Sequence, residues 1–224
     1  MTPRLAFVTI GQTPRTDLVP ELVAGLPAHV EAVEFGALDG LGTDEIRALR
    51  PAPGGRHLVT RLRGGAQAVL DKDRVEALLG DLLATIDPGD FLALTLLCTG
   101  EFPTLSWPGL FLESQRIVDH GVAALAGGVP RLGVLVPLEE QTGEFHYRPR
   151  PDQKLVTAFA SPYTEGAPAA DPFASAARTL ASADLVVMHC IGYTEAHRRR
   201  MAAVTGRPVL LARRMVAAAL GQLL

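Results

Sequence analysis

Leu5-Ala6-Phe7-Val8-Thr9-Ile10-Gly11-Gln12-Thr13-Pro14-Arg15-Thr16 is the stretch that decides the fold class. An apolar run from Leu5 to Ile10, broken only by Thr9 and stopped by Gly11, reads as a strand buried on both faces. Gly11 to Thr16 reads as a polar loop. A helix follows to about Leu26, with Thr16 as its N-cap and Pro20 in the first turn, where no amide donor is needed. Strand, polar loop and helix in succession open a parallel α/β unit.

Working outward, the alternation continues. Val30–Phe35 reads as a strand. Thr43–Leu49 reads as a short helix capped by Thr43 and closed by Pro51. His57–Leu62 and Gln67–Leu70 flank Arg63-Gly64-Gly65-Ala66, the pattern of a β-hairpin whose glycines supply positive φ. Asp73–Ile86 is amphipathic and ends at Asp87-Pro88-Gly89. Phe91–Leu97 is the most hydrophobic strand, with Cys98 at its end, and Phe111–Ala126 reads as a helix.

A second cycle opens at Leu132-Gly133-Val134-Leu135-Val136-Pro137 and mirrors the first. Leu138–Tyr147 reads as helical, Leu155–Phe159 as a strand, and Asp171–Ala181 as a helix with Pro172 just inside its start. Asp184–Met188 is again a buried strand, with Cys190 just past it. Thr194 caps a helix to about Val204. Val209–Leu211 is a last strand before a terminal helix, and Ser161–Ala170 reads as a surface loop. The two halves rhyme: Cys98-Thr99-Gly100 answers Cys190-Ile191-Gly192.

Composition bounds the partners. The chain has 224 residues, 48% of them hydrophobic and 20% charged, the balance of a chain that buries a core. A net charge of −3 offers no overall basic field to nucleic acid or anionic lipid. No apolar run approaches the length of a membrane span, and Met1–Gly11 does not read as a signal peptide. A cytoplasmic chain is therefore expected, with Cys98 and Cys190 held as thiols.

In an open parallel sheet, ligands bind beyond the carboxyl ends of the strands. Both cysteines occupy such ends, as do the loop Gly11–Thr16 and its counterpart after Val136. If the two sheets face each other, the thiols meet across one cleft. Two thiols on opposite faces of one carbon serve as base and acid, one removing a proton and the other returning one. The amides of Ile191 to Glu195 and the following helix dipole are suited to stabilising a Cys190 thiolate. Arg15 suits bidentate carboxylate binding, with hydrogen bonds from Gln12 and Thr13. Thr99 and Gly100 suit a substrate carboxylate.

Each of these has a plainer reading: a strand-end cysteine is commonly a small buried hydrophobe. Arg15 reads equally as a solvated helix-start arginine. His189 reads as a packed core histidine rather than a base, because successive strand side chains point opposite ways. His197-Arg198-Arg199-Arg200 reads as a solvated helix face. Glycine-rich dinucleotide and phosphate loops, Gly-x-Ser-x-Gly and a full zinc ligand set are all missing, so no cofactor and no metal is expected.

Four segments carry a family resemblance: Leu5 to Arg15, Phe111-Leu112-Glu113-Ser114-Gln115-Arg116-Ile117, Gly133 to Glu140, and Val186-Val187-Met188-His189-Cys190-Ile191-Gly192-Tyr193. In this order they resemble AroM-type proteins, which are similar to the aspartate/glutamate racemase superfamily with its hydantoin racemases, maleate isomerases and arylmalonate decarboxylases. The resemblance implies two pseudo-symmetric α/β lobes, each a mostly parallel sheet flanked by helices, with a cofactor-independent active site between them. It implies one catalytic cysteine from each lobe, here Cys98 and Cys190, and a carboxylate contact from the hydroxyl of Thr99. Where racemases often carry Thr or Ser after the second cysteine, this chain has Ile191.

The expected lobes are 1–112 with about 208–224, and 113–207. The expected function is cofactor-independent proton transfer, as a racemase, epimerase or isomerase, on a small carboxylate or amino-acid-like substrate. Decarboxylation is the alternative chemistry. The catalytic pair is Cys98 and Cys190; substrate contacts are Gly11, Gln12, Thr13, Arg15, Thr99, Gly100, Gly192 and Tyr193. The alternative is a non-catalytic protein that binds a small anion in a metabolic or regulatory role. A small anionic substrate is the expected partner, without nucleic acid or membrane, and a homodimer is compatible with the reading.

Overall fold

β1 (Arg4–Thr9) is buried from Leu5 onward, as its unbroken apolar run requires. The computed structural model describes residues 2–143, 147–163 and 171–224. These divide into two compact units, Met1–Gln115 with Leu220–Leu224, and Arg116–Ala219.

In the first unit β1 is followed by α1 (Val19–Val23), β2 (Glu31–Gly36), α2 (Thr43–Ala48), the antiparallel hairpin β3 (His57–Arg61) and β4 (Gln67–Asp71), α3 (Lys72–Thr85), β5 (Ala93–Leu96) and β6 (Phe111–Glu113). The sheet order is β2-β1-β5-β6, all parallel. Ala6 and Val8 lie beside Leu94 and Leu96 in register. With Ile10 and Cys98 they form one apolar face, packed on Leu70 of β4 and on Val75, Leu79 and Leu83 of α3. α3 begins where the Asp71 carboxylate accepts the backbone N–H groups of Asp73 and Arg74. The hairpin turns through Gly65 at φ +88°.

The second unit begins within α4 (Ser114–Ala126) and continues through β7 (Arg131–Val136), β8 (Lys154–Phe159), α5 (Pro172–Leu180), β9 (Leu185–Met188), α6 (Glu195–Thr205), β10 (Val209–Leu211) and α7 (Ala212–Leu220). Its sheet order is β10-β9-β7-β8, again all parallel. Read from the other edge this is the order of the first sheet: β8, β7, β9 and β10 stand where β2, β1, β5 and β6 stand. Asp171 caps α5 and Thr194 caps α6.

Several expectations are corrected. α1 starts at Val19 rather than after Thr16, because the chain first turns on the Arg15 carbonyl, which accepts from Leu18 and Val19. Gly42 rather than Thr43 stands at the N-cap of α2, its N–H bonded to the Glu45 carboxylate. Phe111–Glu113 is an edge strand paired with β5, not the first turn of a helix. After β7 the expected helix is only a short 3-10 turn, Glu139–Gln141, and 144–146 lie outside the described residues. So does 164–170 of the expected surface loop. β10 hydrogen-bonds to β9, so 209–219 group with the second unit; of the segment expected in the first lobe, only Leu220–Leu224 falls there. Among the described residues no helix is long and apolar enough to cross a membrane.

Candidate active site

Each sheet has one place where the chain reverses its direction of build-up: between β1 and β5, and between β7 and β9. Loops on either side of such a switch point diverge and leave a crevice at the strands' carboxyl ends. Cys98 lies two residues past β5 and Cys190 two residues past β9. The two sites are built alike. The Leu97 N–H donates to the Val8 carbonyl at 2.7 Å, and the His189 N–H to the Leu135 carbonyl at 3.0 Å, so each chain runs on beside its neighbour to the cysteine.

Both cysteines are free thiols, and each residue is buried, 8% exposed. Each accepts the backbone N–H of the glycine two residues on: Gly100 to Cys98 Sγ at 3.3 Å, Gly192 to Cys190 Sγ at 3.4 Å. An N–H aimed at sulfur favours the thiolate over the thiol. Thr99 is half-buried, and its hydroxyl has no partner among the described residues.

The loop after β1 is pinned from two sides. A Cβ on Gly11 would lie 2.3 Å from Thr60 Oγ1 and 3.0 Å from the Arg61 carbonyl, so the hairpin crosses here only over a glycine. The Thr13 N–H and hydroxyl both donate to Asp39, at 3.0 and 2.6 Å. The Gln12 side-chain oxygen accepts the Arg63 N–H, and the Arg63 guanidinium reaches the Thr13 carbonyl and Asp39.

Arg15 is 3% exposed rather than solvated. Its Nε and one terminal nitrogen grip Asp17 bidentately at 2.9 Å each, and the other terminal nitrogen donates to Thr9 Oγ1 at 3.0 Å. Burial pushes the Asp17 carboxyl up, but the hydrogen bonds and charge of Arg15 outweigh it and hold the carboxyl below its ordinary value. The fork expected to take a substrate carboxylate therefore holds one of the protein's own.

In the second unit Gly192 is required for close approach: an added Cβ would meet the Tyr163 hydroxyl at 2.2 Å and Pro162 at 3.0 Å. Tyr193, expected at the substrate, is fully buried; its hydroxyl donates to the Ala160 carbonyl at 2.7 Å. Burial first, then the neighbouring Cys190 and Tyr163, hold its phenol well above the ordinary value. His189 is buried and lies 2.8 Å from Asp119 Oδ1. His197 accepts the Thr194 N–H at Nδ1 and stacks on Phe173. Glu195 holds Arg198 and Arg214. No group of three or more metal-ligating side chains occurs among the described residues.

Sequence reasoning missed Asp17 and Arg213. Arg213, 2% exposed, donates from Nε to the Ile191 carbonyl at 3.3 Å and from Nη2 to the Gly192 carbonyl at 3.2 Å. The available signal was a cation in the first turn of a helix, where the dipole disfavours it.

The family model described as AroM protein matches residues 5–224. No curated protein sequence matches. Among solved structures, unliganded arylmalonate decarboxylase superposes with a TM-score of 0.58 at 15% identity, covering 99% of this chain and 92% of that one. An aspartate racemase from Picrophilus torridus gives 0.58 at 11% identity, covering 98% and 93%. A Nocardia farcinica maleate cis-trans isomerase mutant with a covalently bound succinylcysteine intermediate gives 0.53 at 14%, covering 99% and 92%. At these identities the likeness establishes the fold, that of the aspartate/glutamate racemase-like proteins.

Proposed function

The chain belongs to the AroM family, and on that footing we propose that it is a cofactor-independent enzyme moving a proton at the carbon next to a carboxyl or carbonyl group. Cys98 and Cys190 are its acid/base pair, one thiol from each unit acting on one substrate carbon. A thiolate removes the α-proton and becomes a thiol. The electron pair left on carbon delocalises into the adjacent carbonyl, and the second thiol protonates the opposite face and becomes a thiolate. Bond-making and bond-breaking balance without a cofactor, and the product is the inverted centre.

The observation that carries this reading is the repeated sulfur environment, a glycine N–H at 3.3 Å in one unit and 3.4 Å in the other. A merely space-filling cysteine has no need of an aimed amide in both halves. Thr99, with its unengaged half-buried hydroxyl, is the proposed contact to the substrate carboxylate. Gly11, Gly100 and Gly192 let neighbouring groups approach closely, and Gln12 and Thr13 shape the adjoining loop. Racemase or epimerase chemistry comes first; isomerisation or decarboxylation by a single cysteine comes second. The solved structures sharing the fold include a decarboxylase, a racemase and an isomerase, so the fold accommodates all three chemistries.

The alternative, a protein that binds a small anion without turning it over, is favoured by Ile191, which puts a buried apolar side chain where a second hydroxyl would serve. The two readings separate on Cys98→Ser and Cys190→Ser variants, assayed by loss of optical rotation on a panel of single-enantiomer amino acids and 5-substituted hydantoins, and by carbon dioxide release from arylmalonates. The enzyme reading expects each variant to lose at least about a hundredfold in kcat, the scale of one acid/base group. Full turnover by both variants on a substrate the wild type converts contradicts it. Ligand binding without turnover, surviving either change, establishes the alternative.

A further inference from the structure

Arg213 is expensive where it stands. It is 2% exposed, and it lies in the first turn of α7, where the helix dipole opposes a cation. Its guanidinium reaches the backbone of the cysteine loop, at the carbonyls of Ile191 and Gly192. A trans peptide points its C=O and its N–H in opposite directions. Pulling the Ile191 carbonyl toward the guanidinium therefore turns the Gly192 N–H the other way, and that N–H is the one on Cys190 Sγ at 3.4 Å. The next peptide repeats the pattern: its carbonyl goes to Arg213 and its N–H, on Tyr193, donates to the Cys190 carbonyl at 3.2 Å.

We propose that Arg213 is a positioning residue for Cys190, clamping two successive peptides so that the Gly192 amide is fixed on the sulfur and the thiol ionises more readily. The planar fork fits this arrangement, since two nitrogens on one rigid group meet two carbonyls one residue apart, whereas an ammonium is a single point. Ile191 fits the same account, its buried side chain packing a loop whose polar orientation is set by the backbone. Among the described residues, the ionisable neighbours of Cys190 include Tyr193 and Tyr163, both phenols, and the adjacent His189, whose ring is engaged by Asp119 of α4. The consequence for turnover rests on the reading of Cys190 as an acid/base thiol; the effect on the thiol itself does not.

The test reads the thiol without a substrate. In a Cys98→Ser background, the rate of Cys190 carbamidomethylation by iodoacetamide is followed against pH, with intact mass as the readout and far-ultraviolet circular dichroism as the check on folding. The unaltered arginine is expected to give a midpoint below the roughly 8.5 of an ordinary thiol. Arg213→Met is expected to raise it by about one pH unit, a roughly tenfold slower reaction at pH 7, and Arg213→Lys to fall between. In a Cys190→Ser background, Arg213→Met should leave the Cys98 midpoint where it was. A Cys190 midpoint at or above 8.5 with Arg213 intact overturns the proposal even if Arg213→Met does not fold. So does an unmoved midpoint in folded Arg213→Met, or an equal shift at Cys98. An Arg213-dependent midpoint in a protein that turns nothing over leaves this inference standing and the enzyme reading fallen; the reverse pattern separates them the other way.

Discussion

Gly11 and Arg15 lie in the same short loop and do different work from what their residue types first suggest. Gly11 is where the hairpin crosses the end of β1, and Gly11→Ala pushes a methyl group against Thr60 and the Arg61 backbone. We expect a loss of about 1–3 kcal/mol in urea denaturation, the usual scale of overpacking. Arg15 and Asp17 form a part-buried ion pair, so the pH dependence follows from Asp17. Its folded carboxyl lies below the unfolded value of about 3.9. The stabilisation is therefore fully present above that value and is lost as pH falls through the folded one. Asp17→Asn is expected to destabilise by about 1.5–3 kcal/mol at pH 7, and the difference from wild type should shrink below about pH 4. A difference constant from pH 7 to pH 3 contradicts the assignment. Gly11 could be named from sequence as a loop residue; its reason could not, because the Thr60–Arg61 hairpin strand that crosses it comes from far along the chain.

At the scale of elements, local chemistry carried much of the reading. Thr194 is the N-cap of α6, as its sequence position suggests, and its hydroxyl accepts the His197 N–H. Thr194→Ala is expected to cost about 1 kcal/mol in thermal or urea unfolding, and Asp71→Ala, which uncaps the longer α3, a similar amount. The strands of both sheets and the Gly65 hairpin were equally legible, because apolar runs, turn glycines and caps act within a few residues of themselves. Phe111–Glu113 was not. Three residues continuous with a helical pattern become strand only because β5 offers them an unpaired edge, a tertiary fact that local propensity does not contain. The segment after β7 fails for the converse reason: its pattern allows a helix, and the chain makes one short turn, Glu139–Gln141.

For the whole molecule, the repeated order of strands is the main structural statement. It puts Cys98 and Cys190 at equivalent switch points, each with the same glycine amide on sulfur. The rhyme of Cys98-Thr99-Gly100 with Cys190-Ile191-Gly192 was visible in the sequence. The asymmetry between the halves was visible only as Ile191; Arg213 was hidden because the contacts that tie it to the cysteine loop are to backbone carbonyls, which leave no trace in residue types. The central claim is that the two thiols exchange a proton with one carbon, and isotope wash-in tests it most directly. The protein in heavy water is given one enantiomer of each chiral compound in the panel, and the α-proton signal is followed by NMR. The account predicts that wild type replaces the α-hydrogen of at least one compound by deuterium, and that Cys98→Ser and Cys190→Ser each slow the formation of the deuterated opposite enantiomer at least about a hundredfold. Conversion that keeps the original hydrogen at the inverted centre, or wash-in unaffected by both substitutions, would contradict it.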